Sequence, residues 1–576
     1  MKKLLVFLKD YKKESFLGPL FKLLEASFEL LVPLVMANII DIGIKNGDTG
    51  YIVQNCLIMA GLGVIGLVCS ITAQYFAAKA AVGFSTKLRL ALFSHIQGLS
   101  FTELDKAGTS TLITRMTGDV NQVQSGVNLV LRLFLRSPFI VVGAMIMAFT
   151  INVKAALIFV VTIPLLSIVV FGIMAISTPM FGKVQQGLDS VLRITRENLT
   201  GVRVIRAFAK EKDEERKFKE ANQELNGLQI AAGKVTAFMN PVTYVIVNLA
   251  TAVLIYTGAF QVDEGIITQG ELIAHVNYMS QILVELVKLA NLIVTVTKAI
   301  ACGNRIQAVL DMENSMVQKD TMEQEEKSNA YVVEFDHVSL KYAGAGEESL
   351  TDITMKIRKG ETIGVIGGTG SGKTSFVHLI PRFYEATKGT VRVNGVDVRE
   401  YPLSMLRDKV GIVMQKAMLF QGTIRENLKW GNEQATDEEL WQALTTAQAK
   451  EVVEKKEGGL EAEVEQEGKN LSGGQRQRLT IARALVKKPE ILILDDSASA
   501  LDFATDAALR KALKEMDGDT TVFIVSQRTS SLMHADQILV LDEGEAVGIG
   551  THEELLKNNT VYQEIYYSQF PKEAAQ

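Results

Sequence analysis

The residues best suited to chemistry stand at 367–374, Gly-Gly-Thr-Gly-Ser-Gly-Lys-Thr, which fits G-x-x-x-x-G-K-[ST]. The four glycines Gly367, Gly368, Gly370 and Gly372 let backbone N–H groups close around phosphates. Thr369 and Ser371 complete the turn. The preceding ETIGVI reads as a buried strand and the following TSFVHLI as a helix, whose N-terminus favours negative charge. In that context Lys373 reaches terminal phosphates, and Thr374 supplies a hydroxyl to Mg²⁺. A second element is ILILDD, four apolar residues that read as a buried parallel strand. Asp495 falls at its C-terminal end, where open α/β sheets bind ligands, and is expected to hold the Mg²⁺. These two elements specify a nucleoside-triphosphate site and no particular task.

The sharper signal is Leu471-Ser472-Gly473-Gly474-Gln475, followed by RQR and, shortly after, by ILILDD. Ser472 and the amides of Gly473 and Gly474 precede a helical run and form an anion-binding terminus. Here the sequence resembles the ATP-binding-cassette (ABC) transporter family, whose signature is LSGGQ. The resemblance covers about residues 17 to 570 and is greatest to exporters with six spans followed by one ATPase. It implies two ATPase domains packed head to tail, each ATP held between one chain's phosphate loop and the other's signature. It further implies that Tyr342 stacks on adenine, the alternative being a strand-end core tyrosine. By the same resemblance Gln415, in GIVMQ, senses the γ-phosphate and Mg²⁺ and faces the membrane domain. The segment VEQEGKN is expected to touch the cytosolic loops. Ser499-Ala500-Leu501-Asp502 matches the loop joining the two ATP sites, so Asp502 is expected at the nucleotide. Thr102 to Val120 and Thr200 to Ala221 resemble the loops that carry coupling helices.

Two positions depart from the family pattern. The catalytic base is a glutamate directly after the Mg²⁺-binding aspartate, and this chain has Asp496 there. The switch histidine lies in an S-H-R context, and TVFIVSQR places Gln527 at that position. Aspartate withdraws the carboxylate by ~1.5 Å, whereas a base must come within about 2.6–3.2 Å of the water it activates. Glutamine can donate a hydrogen bond to a phosphate but does not titrate like imidazole. Together they suggest a site that binds ATP and hardly hydrolyses it. The signature is intact and, in a head-to-tail pair, serves the partner's site. A different half-transporter as partner explains which motif decayed; a slow homodimer is the alternative.

The elements that must position these residues divide the chain. Of 576 residues, 48% are hydrophobic, and the mean hydropathy is +0.17. The apolar excess is confined to residues 17–300. A spanning helix needs roughly 20 apolar residues, and six candidates lie near 17–42, 53–82, 128–150, 154–180, 236–261 and 272–300. Lys22, Glu25, Glu29, Glu285 and Lys288 interrupt the first and last, and such charges should face the bundle interior or an aqueous cavity. The acidic residues are read either as ion-paired with Lys22 or Lys288, or as a lining for cationic amphiphiles. Long connections, 83–127 and 181–235, alternate with short ones near 43–52, 151–153 and 262–271. Lys and Arg crowd the long connections and the N-terminus, which puts these and the ATPase half in the cytosol. Helical periodicity in GLDSVLRITRENLTGVRVIRAFAKEKDEERKFKEAN extends the spans into that compartment.

The expected fold is therefore an all-α six-span transmembrane domain of the ABC exporter type over 1–310, a polar linker at 311–330, and an α/β ATPase domain over 331–576. The expected activity is ATP-driven export of a hydrophobic or amphipathic small molecule across the cell membrane. ATP and Mg²⁺ are the cofactors; a second half-transporter and the lipid bilayer are the partners. The near-balanced net charge of −5 implies no nucleic acid. A homodimeric lipid or peptide exporter, or an ATP-gated channel or sensor subunit, stays open. The six apolar stretches argue against a soluble chromosome-type ATPase, and fusion of both domains in one chain argues against an importer. Cys56, Cys69 and Cys302 have no metal-ligand spacing and read as small buried apolar residues.

Overall fold

The computed structural model describes residues 2–317, 319, 321–322, 330–516 and 519–570; much of the expected linker lies outside them. The chain divides into two compact units, Met1–Gln97 with Thr109–Met312, and Gly98–Gly108 with Glu313–Gln576. The segment Gly98–Gly108, which sequence alone places within the membrane half, thus groups by its contacts with the second unit.

The first unit is built from six helical spans: Lys3–Ile44, Thr49–Gly98, Thr109–Ile151, Val153–Thr200, Glu211–Asp263 and Gln269–Leu310. Each candidate stretch falls inside one of them. The shortest has 42 residues, about 63 Å of helix at 1.5 Å per residue and twice the hydrocarbon thickness. The long connections are thus continuations of the spans. They are broken at Leu99–Ser100 and Gly108 in the first, and at Gly201 and Phe208–Lys210 in the second.

The sixth span packs against the first, third, fourth and fifth. The buried seams are rich in alanine: Ala26, Ala144, Ala148, Ala155, Ala156 and Ala274. With no hydrophobic drive between helices in lipid, close approach through small residues supplies the packing. Leu57, Ile71, Val161 and Ile168 are exposed instead, the inside-out pattern of a lipid-facing bundle. Cys69 and Cys302 are buried, but Cys56 is exposed on the second span, against the buried position expected of it.

The interrupting charges are paired. Lys22 Nζ lies 2.5 Å from Glu25 and donates to Ser70 at 3.2 Å. Lys288 lies 2.8 Å from Glu285. A further residue, Arg136, bridges Glu285 of the sixth span and Glu29 of the first. It was readable in the apolar run LFLRSPFIVVG, where an arginine needs a carboxylate.

The second unit is centred on a ten-stranded sheet of order β5-β4-β1-β2-β12-β11-β3-β10-β9-β6. Its strands are β1 (Tyr331–Leu340), β2 (Leu350–Arg358), β3 (Thr362–Gly367), β4 (Lys388–Val393), β5 (Val396–Asp397), β6 (Val410–Val413), β9 (Ile491–Asp495), β10 (Thr521–Val525), β11 (Gln537–Asp542) and β12 (Glu545–Gly550). β7 (Gly422–Thr423) and β8 (Glu463–Val464) form a separate pair. The run β11, β3, β10, β9, β6 is parallel throughout. Its strands are buried on both faces, as continuous runs such as ILIL require. Being parallel, they bring the C-terminal ends of β3, β9 and β10 to one edge.

Candidate functional site

Gly367 closes β3, Asp495 closes β9, and Gln527 follows β10 by two residues, so one end of three adjacent strands gathers the expected chemistry. Register fixes the gathering: Val525 pairs with Asp495 and with Val365, and the amides of Asp496 and Ser526 donate to Val525 O and Val365 O at 3.0 and 3.1 Å.

A cavity of about 350 Å³ opens there, lined by Tyr342, Thr369, Gly370, Gly372, Lys373, Thr374, Gln415, Asp495, Asp496 and Gln527, with Ser349, Ser375 and Val525. Gly370 and Gly372 adopt φ of 85° and 93°. At Gly372 a Cβ would lie 2.6 Å from Ser349 O, so neither the turn nor the space admits a side chain. Lys373 is nearly buried and donates to the carbonyls of Gly367 and Gly368 at 2.9 and 2.6 Å. Burial lowers its pKa, partly offset by the charges of Asp496 and Asp495. The lysine is thus held at the loop by weak carbonyl partners that a phosphate would outcompete.

Thr374 Oγ1 donates to Asp495 Oδ1 at 3.0 Å. Burial raises the pKa of Asp495, and the neighbouring charge of Asp496 adds to the shift. His378, whose Nε2 lies 3.8 Å from Asp495, does not answer that charge at neutral pH, because burial pushes its pKa down to about 4. A buried carboxylate beside a hydroxyl and a second carboxylate suits a small hard cation, and few protein oxygens suit Mg²⁺, which keeps water and substrate phosphates as its other ligands. Thr374 and Asp495 are the groups that would hold it.

Gln415 Nε2 donates to Asp496 Oδ2 at 3.4 Å, and Asp496 sits at φ 45°, in the left-handed region. Tyr342 lies at the rim. Its hydroxyl is 2.8 Å from Ser375 Oγ and its ring meets Tyr384 edge-on at 4.9 Å. Tyr384 in turn donates to Asp105 at 2.6 Å, and Phe101 packs on Phe383 at 4.6 Å. The helix Phe101–Ala107, within the first expected coupling loop, is thereby fastened next to the cavity. The second loop's short helix, Val202–Ala207, belongs to the first unit.

The signature residues do not line this cavity. Ser472 caps the helix Gly473–Val486, accepting from Gln475 N while Gln475 Oε1 accepts from Ser472 N. This box explains the S-x-x-Q spacing by local physics. Gly473 instead borders a separate groove of about 390 Å³, shared with Gln415, Glu467, Lys469 and Arg476. Glu467, from VEQEGKN, is at φ 61°. Asp502 also lies outside the cavity. It caps the helix Phe503–Lys514 through Thr505 N at 2.8 Å, and that bond leads the lowering of its pKa. Gly367, Gly368 and Ser371 build the loop without lining the cavity. Sequence reasoning passed over Ser349, Ser375 and His378; only the position of His378 on the helix after the phosphate loop could have pointed to it.

Comparison with known proteins identifies two family profiles. The profile described as the ABC transporter transmembrane region matches residues 15–286, and that described as ABC transporter matches residues 350–499. An uncharacterized ABC transporter ATP-binding protein of Mycobacterium tuberculosis is 37% identical over 567 residues, 98% of this chain and 97% of that one. The putative multidrug export ATP-binding/permease protein YgaD of Bacillus subtilis is 33% identical over 573 residues, 98% of each. A bacterial Atm1-family ABC exporter solved with ATP bound shares the fold, with a TM-score of 0.82 at 21% identity over 97% of this chain and 99% of that one. The chain therefore belongs to the ABC transporters, as an ATP hydrolase coupled to transport that carries membrane and ATPase domains on one polypeptide in the exporter arrangement.

Proposed function

We propose that this chain is one half of a heterodimeric exporter and that its own ATP site binds nucleotide while contributing little hydrolysis. The observation that carries the reading is the content of the cavity: where a base and a histidine would face the γ-phosphate, its lining offers Asp496 and Gln527. Asp496 already shares a hydrogen bond with Gln415, and its shorter side chain reduces its reach toward an attacking water. Mg²⁺ between Thr374 and Asp495 would supply charge neutralisation at the β- and γ-phosphates.

The signature lies outside the chain's own cavity, so it is free to complete a site on another ATPase domain. A partner with a glutamate and a histidine would then hydrolyse ATP against this chain's Ser472, Gly473 and Gly474. The ATPase half and the N-terminus lie on the cytosolic side, as the Lys/Arg bias of the long connections requires.

The substrate we propose is a hydrophobic or amphipathic small molecule of the multidrug type. The resemblance to a putative multidrug export protein supports it; the pairing of Glu25, Glu29 and Glu285 with basic side chains favours the ion-paired reading of those carboxylates over a lining for cationic amphiphiles. Co-expression with a neighbouring half-transporter, followed by vesicle uptake of a fluorescent amphiphile, tests both parts. ATP-dependent uptake by the pair and none by the chain alone is the expected result. Equal uptake by the chain alone would replace the heterodimer with a homodimer.

A further inference from the structure

The loop carrying Gln527 is held from a direction that the nucleotide motifs do not predict. Its entry is fixed on the phosphate-loop strand by Ser526 N to Val365 O, 3.1 Å. Its exit is fixed by Gln569, the last residue of the helix Thr560–Gln569. Gln569 Nε2 donates to Gln527 O at 2.8 Å, while its Oε1 accepts from Thr529 N at 2.9 Å and from Thr529 Oγ1 at 3.0 Å. One side-chain amide therefore reads a backbone acceptor and a backbone donor two residues apart. A carboxamide carries both functions on one planar group.

The helix that presents Gln569 is itself anchored. Tyr562 is fully buried in the core, its hydroxyl is 2.7 Å from His552 Nδ1, and Asn559 caps the helix through Tyr562 N at 2.7 Å. The clip also reaches further. Arg528, between the two clipped residues, donates to Leu501 O at 3.3 Å and lies over the Phe503 ring at 4.8 Å. Leu501 and Phe503 flank Asp502, so the same loop is tied to the Ser499–Asp502 loop.

We propose that Gln569 is a positioning residue. It sets the main chain of residues 527–529 so that the Gln527 side chain stands at the phosphate end of the cavity, where it distinguishes a triphosphate from a diphosphate. The proposal rests on the reading of that cavity as the ATP site. Gln569 touches no nucleotide; it acts through the loop.

The test uses the full-length protein, purified with whatever partner accompanies it, and photolabelling of this chain's band with 8-azido-ATP. Competition by ATP and by ADP gives an affinity ratio for this site alone. Gln569→Glu keeps the shape, but replaces the donor with a second acceptor against Gln527 O. It is expected to lower the ATP-to-ADP preference roughly two- to tenfold, the worth of about one net hydrogen bond, with ADP affinity unchanged within twofold. Gln569→Met, which lacks both functions, reads the same ratio should the glutamate variant fail to accumulate. An unchanged ratio overturns the proposal. A parallel loss of ATP and ADP affinity with a lowered melting temperature also overturns it, in favour of a scaffolding role. Labelling that survives Lys373→Ala would instead show that the site reading itself is wrong.

Discussion

Arg136 holds Glu285 with a guanidinium nitrogen 2.5 Å from the carboxylate, and both side chains are buried. Ser137 donates to the same carboxylate at 2.7 Å, and the second guanidinium nitrogen of Arg136 reaches Glu29 at 2.7 Å. The three charged residues sit at one depth, about four turns or roughly 22 Å from the short-loop ends of their helices. Ion pairing at that depth ties the first, third and sixth spans together. Removing Arg136 leaves the buried Glu285 with only Lys288 and Ser137 as partners, and breaking a buried pair costs up to about 3–5 kcal/mol. Arg136→Ala is therefore expected to melt the detergent-solubilised protein well below the parent. Arg136→Met combined with Glu285→Leu is expected to be milder than the single change, because the buried carboxylate that loses its guanidinium partner is removed with it. A neutral Arg136→Ala would show that water reaches the cluster.

Lys373→Ala removes the cation that the loop holds beside its own carbonyls. Nucleotide occupancy at this chain's site is expected to fall at least tenfold, by photolabelling of this chain. Total hydrolysis by the pair is expected to fall only partly, since this site contributes little turnover under the heterodimer reading. Undiminished labelling would count against the assignment of the phosphate loop.

Gly474→Asp is expected to reduce turnover of the pair more than Lys373→Ala does. A Cβ at Gly474 would lie 3.0 Å from Ala500 O, tight but at a single contact. Gly474→Ala thus controls for packing, and the excess loss in the aspartate variant reports repulsion of the partner's γ-phosphate. The reverse order of the two mutants in a phosphate-release assay would undo the head-to-tail assignment.

How much of this was legible beforehand depended on whether a signal was local. The phosphate loop, the ILILDD strand and the signature each carry their geometry within a few residues, so the positions of Lys373, Thr374 and Asp495 followed from spacing. Six spans followed from apolar length. The Arg136 bridge was legible in part: an arginine in LFLRSPFIVVG announces a partner, but Glu285 is 149 positions away, and only packing chooses it. Gln569 gave no signal at all, because a glutamine near a helix end reads as surface. That Gly98–Gly108 groups with the second unit by its contacts gave no sequence signal for a similar reason. Its contacts through Phe101 and Asp105 to Phe383 and Tyr384 are long-range, while its sequence neighbours are membrane helices.

Asp495 offers a test of what the metal relieves. Its pKa is raised by burial and by Asp496, so the folded protein binds that proton more tightly than the unfolded chain. Stability from this group therefore falls as pH rises through the raised pKa and is regained on acidification. Asp495→Asn removes the buried charge and keeps an acceptor for Thr374. The nucleotide-free variant is expected to melt a few degrees higher at neutral pH, at ~2–4 °C per kcal/mol. Added Mg²⁺ and ATP should stabilise the parent and fail to stabilise the variant. A metal-dependent shift retained in Asp495→Asn would remove Asp495 from the Mg²⁺ site.

The last prediction concerns the cavity's two departures from the family. Under the heterodimer reading the purified chain alone hydrolyses ATP slowly or not at all. A positioned general base contributes about 10²–10⁴-fold in rate, and on that reading Asp496 falls short of the attacking water while Gln527 does not titrate like an imidazole. Asp496→Glu lengthens the side chain and frees it to leave Gln415, whose bond to Asp496 at 3.4 Å is long and therefore weak. Gln527→His restores an imidazole on a loop whose main chain is already set by Val365 and Gln569. The two changes act on one water and one phosphate, so their effects need not add. The double variant is expected to raise phosphate release at this site by at least tenfold, and by more than either single variant. The assay uses the pair with the partner's own base mutated, so that only this site reports. Robust hydrolysis by the unmodified chain alone would favour a homodimer. No gain in the double variant, with ATP still bound, would move the block to the partner's signature, because every group this chain contributes to the attack would then be in place.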